Sequence, residues 1–222
     1  MLFLLMRYFL MISSPQNFPK RFFPKGFFTK DSVPGALLLF AVIAVFFCWP
    51  VIERPRAAGT GDWDYYTFLQ NVPVVSLKVF EEFPLWNPYY CGGVSLIGNP
   101  QNRFLSPFFL FSWIWGACAG LKLEVVFHTF LGMAGMFFLA RKLGIRGIAA
   151  LVPGMIFMLN GTWALHIAAG HMTWLPAAYF PFVLFFFFKA LEAPKNIFWA
   201  AAFLALMFYE GGTYISVSYT HL

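Results

Sequence analysis

Seven side chains have the types and positions to do chemistry: Asp62, Asp64, Arg103, His128, His166, His171 and Glu210. The two aspartates stand in GTGDWDYYTF, residues 59–68, beside a long apolar run in a chain otherwise poor in acids. A carboxylate there can take a proton from a hydroxyl or help hold a divalent cation. Spacing restricts the pair. On a helix, residues two apart point about 200° from one another, so Asp62 and Asp64 reach one metal ion only from a turn or an extended stretch. A plainer role stands beside these, since Asp62, or Thr60 before it, can cap a following helix by accepting a backbone N–H. Arg103, in NPQNRF, follows a Gly/Asn-rich turn and suits an anion such as phosphate; a solvated arginine or a lipid-headgroup contact explains it equally well. Each histidine taken alone reads as a packing residue bonded to a backbone carbonyl.

The elements that carry these groups are membrane helices. Of 222 residues, 60% are hydrophobic, 22% aromatic and only 11% charged, whereas a soluble domain is about one quarter charged. The net charge of +6 does not indicate nucleic acid, because the basic residues are scattered among Phe and Pro and build no basic helix. Anionic lipid headgroups are the expected partner. Cys48, Cys91 and Cys118 form no CxxC and no zinc-finger spacing. A Cys91–Cys118 bridge is one reading if both lie outside the cell; two small buried thiols is the favoured one.

Residues 33–52 are uncharged and, at about 1.5 Å per residue, long enough to cross a hydrocarbon core of about 30 Å. Residues 123–140, 148–165, 173–188 and 197–209 are the further candidate spans. Residues 104–120 decide the topology. If they cross, the basic clusters around Arg141 and Lys189 fall outside, against the positive-inside rule. If they lie along the outer surface, Arg7, Lys20, Arg21, Lys25, Lys30, Arg141, Lys142, Arg146, Lys189 and Lys195 are all inside. Arg54, Arg56, Lys78, Arg103 and Lys122 then remain outside. The second arrangement predicts an all-α polytopic protein with five spans and a cytoplasmic N-terminus. Trp113 and Trp115 suit an interfacial helix in 104–120.

The chain thus divides into a basic, aromatic cytoplasmic segment (1–32), a transmembrane domain (33–212) and a tail (213–222). The first outer loop, 53–122, is too long for a mere connector. Within it Tyr65, Phe68, Leu69 and Val72 recur at helical spacing and predict an amphipathic interfacial helix kinked near Pro73. The outer ends of the third to fifth spans carry His166, His171 and Glu210, and His128 lies slightly inside the outer leaflet. The conspicuous polar groups therefore gather on one side, where an ionisable group at membrane depth is a functional candidate. The sequon Asn160–Gly161–Thr162 falls at the end of a predicted span.

In order, a basic start, one span, GDWDYY, FPLWNPYYCGGVSLIGNPQ, a Pro-containing interfacial helix, FHTFLGMAGMFFLARKLGIRG and GHMTWLPAAYFPFVLF resemble the N-terminal half of bacterial YfhO-like membrane proteins. Those belong with the GT-C glycosyltransferases. The resemblance spans residues 35–212, and PLWNPYYCGG and ARKLG are its most specific pieces. It implies residence in the bacterial inner membrane and transfer of a sugar, with inversion, from a polyprenyl-phosphate donor. The acceptor would be a hydroxyl of a cell-envelope polymer or glycolipid at the outer face. Asp62 would then be the principal catalytic carboxylate and Asp64 an orienting or metal-binding partner. Arg103, His128, His166, His171 and Glu210 would serve substrate and phosphate, with a divalent cation as the one expected cofactor. Members of that family carry more spans than this chain, and its ending, VSYTHL, looks like a translated sequencing adapter. A fragment is therefore expected. The competing readings are a non-catalytic membrane scaffold and a lipid or glycolipid transporter; the absence of an internal repeat argues against the latter.

Overall fold

A computed structural model describes residues 32–213, 215 and 217. The expected cytoplasmic segment 1–32, apart from Ser32, and most of the tail 213–222 lie outside the described residues. What is described is mostly helical, with one short antiparallel ribbon.

Helix α1, Val33–Phe47, begins where Ser32 Oγ accepts the Gly35 N–H at 3.2 Å and Pro34 fills the first turn. It fully buries only Ala36, Phe40 and Ala44, one residue per turn, with Val33, Ile43 and Phe47 partly buried beside them and Leu38, Leu39, Val42, Val45 and Phe46 exposed. That is how a helix meets lipid outside and protein along one stripe. The expected continuous span 33–52 is interrupted: α1 ends at Phe47, with Cys48 as its C-cap, and the chain resumes as the single turn α2, Trp49–Ile52. Pro50 is the cause, since it has no N–H to offer the preceding turn.

Helix α3, Trp63–Lys78, carries Pro73 inside an uninterrupted helix. Its buried face is Trp63, Tyr66, Leu69, Gln70, Val72, Pro73 and Val74, while Tyr65 and Phe68 are only partly buried against the core. The helix packs on protein, so its inner face is turned one residue from the stripe read in the sequence. Strands β1 (Trp86–Asn87) and β2 (Val94–Ser95) pair Trp86 with Ser95 and Asn87 with Val94.

Residues 104–120 are not one element. Helix α4, Phe109–Trp115, stops at Gly116, whose φ of 87° turns the chain into α5, Ala117–Lys142. Helix α4 leaves Leu110, Trp113, Ile114 and Trp115 exposed, an apolar and aromatic surface fitting a membrane interface.

Helix α5 is the centre of the molecule, packed against α1, α3, α4 and, later in the chain, residues 147–158 and 172–190. Its buried Gly120, Gly132, Ala134 and Gly135 allow neighbours to approach closely. The expected span 148–165 is broken. A 3₁₀ turn, Gly147–Ala150, leads into α6, Val152–Met158, and a bend of 41° separates that unit from α7, Gly161–Ala169. Asn160 makes the break: its Oδ1 accepts the Trp163 N–H at 2.8 Å while its Nδ2 donates to the Phe157 carbonyl at 2.6 Å. The side chain of the sequon is therefore engaged as a helix cap.

A 3₁₀ segment, Met172–Tyr179, continues into α8, Phe180–Ala190; after a turn at Pro194–Asn196 comes α9, Ile197–Tyr209, with the boundaries expected. Among the described residues, α5 and Met172–Ala190 are long and apolar enough to cross a membrane, or three segments if the bent α6–α7 unit counts as one. Helices α1 and α9 are apolar but shorter, at 15 and 13 residues.

Candidate functional site

The seven singled-out residues separate into two groups and one outlier. The first group is set by how the 53–62 segment meets the end of α7. The Asp62 N–H donates to the Ala169 carbonyl at 2.8 Å, and Trp63 Nε1 donates to the Ile167 carbonyl at 2.9 Å. Such proximity requires Gly170: its φ is 80°, and a Cβ there would press on the backbone of Asp62 and Trp63. Backbone and indole thus hold Asp62 in place while its carboxylate stays free.

That carboxylate faces His171, Oδ2 to Nε2 3.7 Å, with the two side chains 56% and 41% exposed. On its other edge His171 Nδ1 lies 2.8 Å from His166 Nδ1. Two ring nitrogens at that separation share one hydrogen, so one donates and the other accepts. His166 in turn stacks on Trp174, ring centroids 3.9 Å apart and nearly parallel. The result is a carboxylate, two imidazoles and an indole in a row at the surface. Asp62 is the N-cap residue of α3 by position, yet its side chain makes no capping bond; Thr60 Oγ1 donates to the Ala168 carbonyl instead.

Asp64 is the outlier. Because α3 begins at Trp63, Asp64 sits in the first helical turn, exposed and turned away from Asp62. Among the described residues no group of three or more His, Cys, Asp or Glu is placed to hold a metal ion. The two aspartates therefore do not form the shared cation site that a non-helical turn would have allowed. The thiols differ from expectation too. All three are free, and Cys91 is exposed rather than buried.

The second group lies within the bundle. Asparagine side chains shape the loop before Arg103: Asn99 Oδ1 accepts the Gln101 N–H, Asn102 Oδ1 accepts the Phe104 N–H, and Asn102 Nδ2 donates to the Leu96 carbonyl. Arg103 is thereby turned inward, its side chain 1% exposed. Its Nη2 meets Glu124 Oε2 at 2.5 Å and lies 3.8 Å from Glu210 Oε2. Glu210 also receives hydrogen bonds from Tyr179 Oη at 2.6 Å and Ser106 Oγ at 2.9 Å, and faces His128 Nε2 at 2.7 Å. Arg103 is thus committed to two carboxylates and is no open anion site. His128 and Glu210, expected beside His166 and His171, belong to this inner group.

Glu124, Tyr179, Ser106 and Trp174 were missed by the sequence reading. For Glu124 a signal existed: it precedes His128 by four residues, hence shares its face, inside a predicted span where a carboxylate is conspicuous. Tyr179 and Ser106 carry no local signal, because only the packing of 172–179 and the outer loop against α5 and α9 brings them to Glu210.

Between the groups stand Tyr66 and Gln101. Gln101 Oε1 accepts from Tyr65 Oη at 2.8 Å and its Nε2 donates to Tyr66 Oη at 3.3 Å. Burial pushes the Tyr66 phenol up, so it remains a neutral hydroxyl. Lys122 fastens the start of the outer loop, donating to the carbonyls of Arg54 and Ala57 at 2.6 Å each. Set against protein-family models, curated proteins and solved structures, the chain matches none.

Proposed function

We propose that the chain is a GT-C-type membrane glycosyltransferase with five spans and a cytoplasmic N-terminus in a bacterial inner membrane. It transfers a sugar from a polyprenyl-phosphate donor to a hydroxyl of a cell-envelope polymer or glycolipid at the outer face. One observation carries the reading: Asp62 is an exposed carboxylate whose position is held by its backbone and by Trp63, leaving both oxygens free opposite His171. The resemblance of GDWDYY and PLWNPYYCGG to YfhO-like proteins supports it.

In this mechanism Asp62 takes the proton of the acceptor hydroxyl as its oxygen bonds to the anomeric carbon. The bond from that carbon to the phosphate oxygen breaks on the opposite side, and its electron pair leaves with the lipid phosphate. Positive charge for the departing phosphate comes from His171 in the imidazolium form, hydrogen-bonded through Nδ1 to His166. Arg103 is spent on Glu124 and Glu210. Among the described residues no group of three or more His, Cys, Asp or Glu is placed to hold a divalent cation, and no step is assigned to one.

Replacing Asp62 with Asn is expected to lower sugar transfer by about 100-fold or more in vesicles supplied with a polyprenyl-phosphate sugar. Undiminished transfer would sink the assignment. A second reading, a transporter of lipid or glycolipid, is favoured by the cluster of ionisable groups inside the bundle, since such groups line pathways in transporters. Movement of labelled glycolipid across the vesicle membrane without any new glycosidic bond distinguishes the two.

A further inference from the structure

The contacts of the inner group fix where its hydrogens sit. His128 Nδ1 lies 2.7 Å from the carbonyl oxygen of Glu124. A carbonyl can only accept, so Nδ1 carries a hydrogen. His128 Nε2 lies 2.7 Å from Glu210 Oε2. A bare ring nitrogen and a bare carboxylate oxygen both present lone pairs and repel at that distance, so a proton lies between them. It rides either on Nε2, as imidazolium facing carboxylate, or on Oε2, as carboxylic acid facing neutral imidazole. Both states hold the same number of protons. With an ionised Glu124 opposite Arg103, both leave this group of residues electrically neutral.

Surrounding groups keep that proton poised. Ser106 from the outer loop and Tyr179 from the 172–179 segment both donate to Glu210 Oε1, moderating its basicity. Tyr179 Oη also lies 2.9 Å from His128 Nε2. Phe108 and Phe127 pack on the imidazole, ring centroids 5.1 and 6.4 Å away, and keep bulk water off it.

A second observation points to what else the site holds. Arg103 Nε, Arg103 Nη1 and Glu124 Oε1 are buried and have no hydrogen-bond partner. Two donors and one acceptor left around a single-point ion pair are strongly unfavourable when dry, and are what internal water satisfies.

We propose that Arg103, Glu124, His128, Tyr179 and Glu210 form an internal proton-binding site in the helix bundle. One exchangeable proton is shared by His128 and Glu210 and is reached through water held by Arg103 and Glu124. This stands apart from the sugar-transfer reading, which uses only Asp62, His171 and His166.

The test is solid-state NMR of the ¹⁵N-histidine-labelled protein in lipid bilayers, with His128 assigned by the resonances lost in His128→Asn. The expected result is a protonated Nδ1 and a proton-sharing Nε2 whose hydrogen is replaced by deuterium after transfer to heavy water. Glu210→Gln is expected to convert Nε2 to an ordinary unprotonated acceptor. Tyr179→Phe, which removes one hydroxyl and no charge, is expected to shift Nε2 measurably in a folded protein. An Nε2 signal that neither variant moves, or a hydrogen that never exchanges, overturns the proposal. Should both Glu210→Gln and His128→Asn fail to fold, His128 is assigned instead by the resonances that persist when His166, His171 and His221 are replaced with Gln, and the Tyr179→Phe shift and the wild-type exchange measurement still decide it.

Discussion

The two polar groups use the same residue types in opposite surroundings. At the surface, His171 faces Asp62 across 3.7 Å with both side chains about half exposed, and the backbone does the positioning. Inside, His128 faces Glu210 across 2.7 Å with both side chains fully buried, and Arg103, Tyr179 and Ser106 complete the set. Water screens the first pair, so it contributes little to stability and is free to exchange partners with a substrate. Burial makes the second pair interdependent: each member compensates a charge or polar group that would otherwise be stranded. The chemistry proposed for an incoming hydroxyl draws on the first arrangement. Cohesion between the outer loop, α5 and α9 belongs to the second.

The largest test of that contrast is Arg103→Ala. It strands Glu124 and Glu210 and should cost roughly 3–5 kcal/mol, read as a large fall in the thermal unfolding midpoint in detergent or bilayer. Stability close to wild type would break the comparison. Next in size is Gly170→Ala, because a side chain at φ 80° meets the backbone of Asp62 and Trp63. A loss of roughly 1–3 kcal/mol is expected, together with lower sugar transfer as Asp62 is displaced from His171. Unaltered transfer in that variant would mean that the Asp62 position does not matter to the reaction. The smallest effect should be Asp62→Asn on unfolding, under about 1 kcal/mol. A larger loss would make Asp62 a structural residue and move it into the inner group's category.

How far the sequence could be read depended on the range of the interaction involved. Helix α9 and most of α5 were legible, because an uninterrupted apolar run declares itself locally. Residues 33–52 and 148–165 were read as single spans because hydropathy averages over Pro50 and Asn160, while the backbone at those residues decides where a helix stops. In α3 the helical period was visible, but the inward face was one residue off, since burial against α5 rather than against lipid chose it. The shared outer side of His166, His171, Glu210 and Asp62 was read from topology, yet sequence order could not divide these groups into an exposed row and a buried cluster.

By itself the sequence determined that this is a helical membrane protein, since its composition and apolar runs leave no other way to satisfy so much backbone and hide so much hydrocarbon. It also determined that Asp62 and Asp64 diverge once a helix begins between them, which follows from the helical repeat alone. Only the tertiary structure decided that Arg103 turns inward to Glu124 and Glu210, and that Asp62 rests against the end of α7 beside His171. Those partners lie tens of residues apart in the chain. Their meeting depends on the packing of several elements at once, which no local pattern encodes.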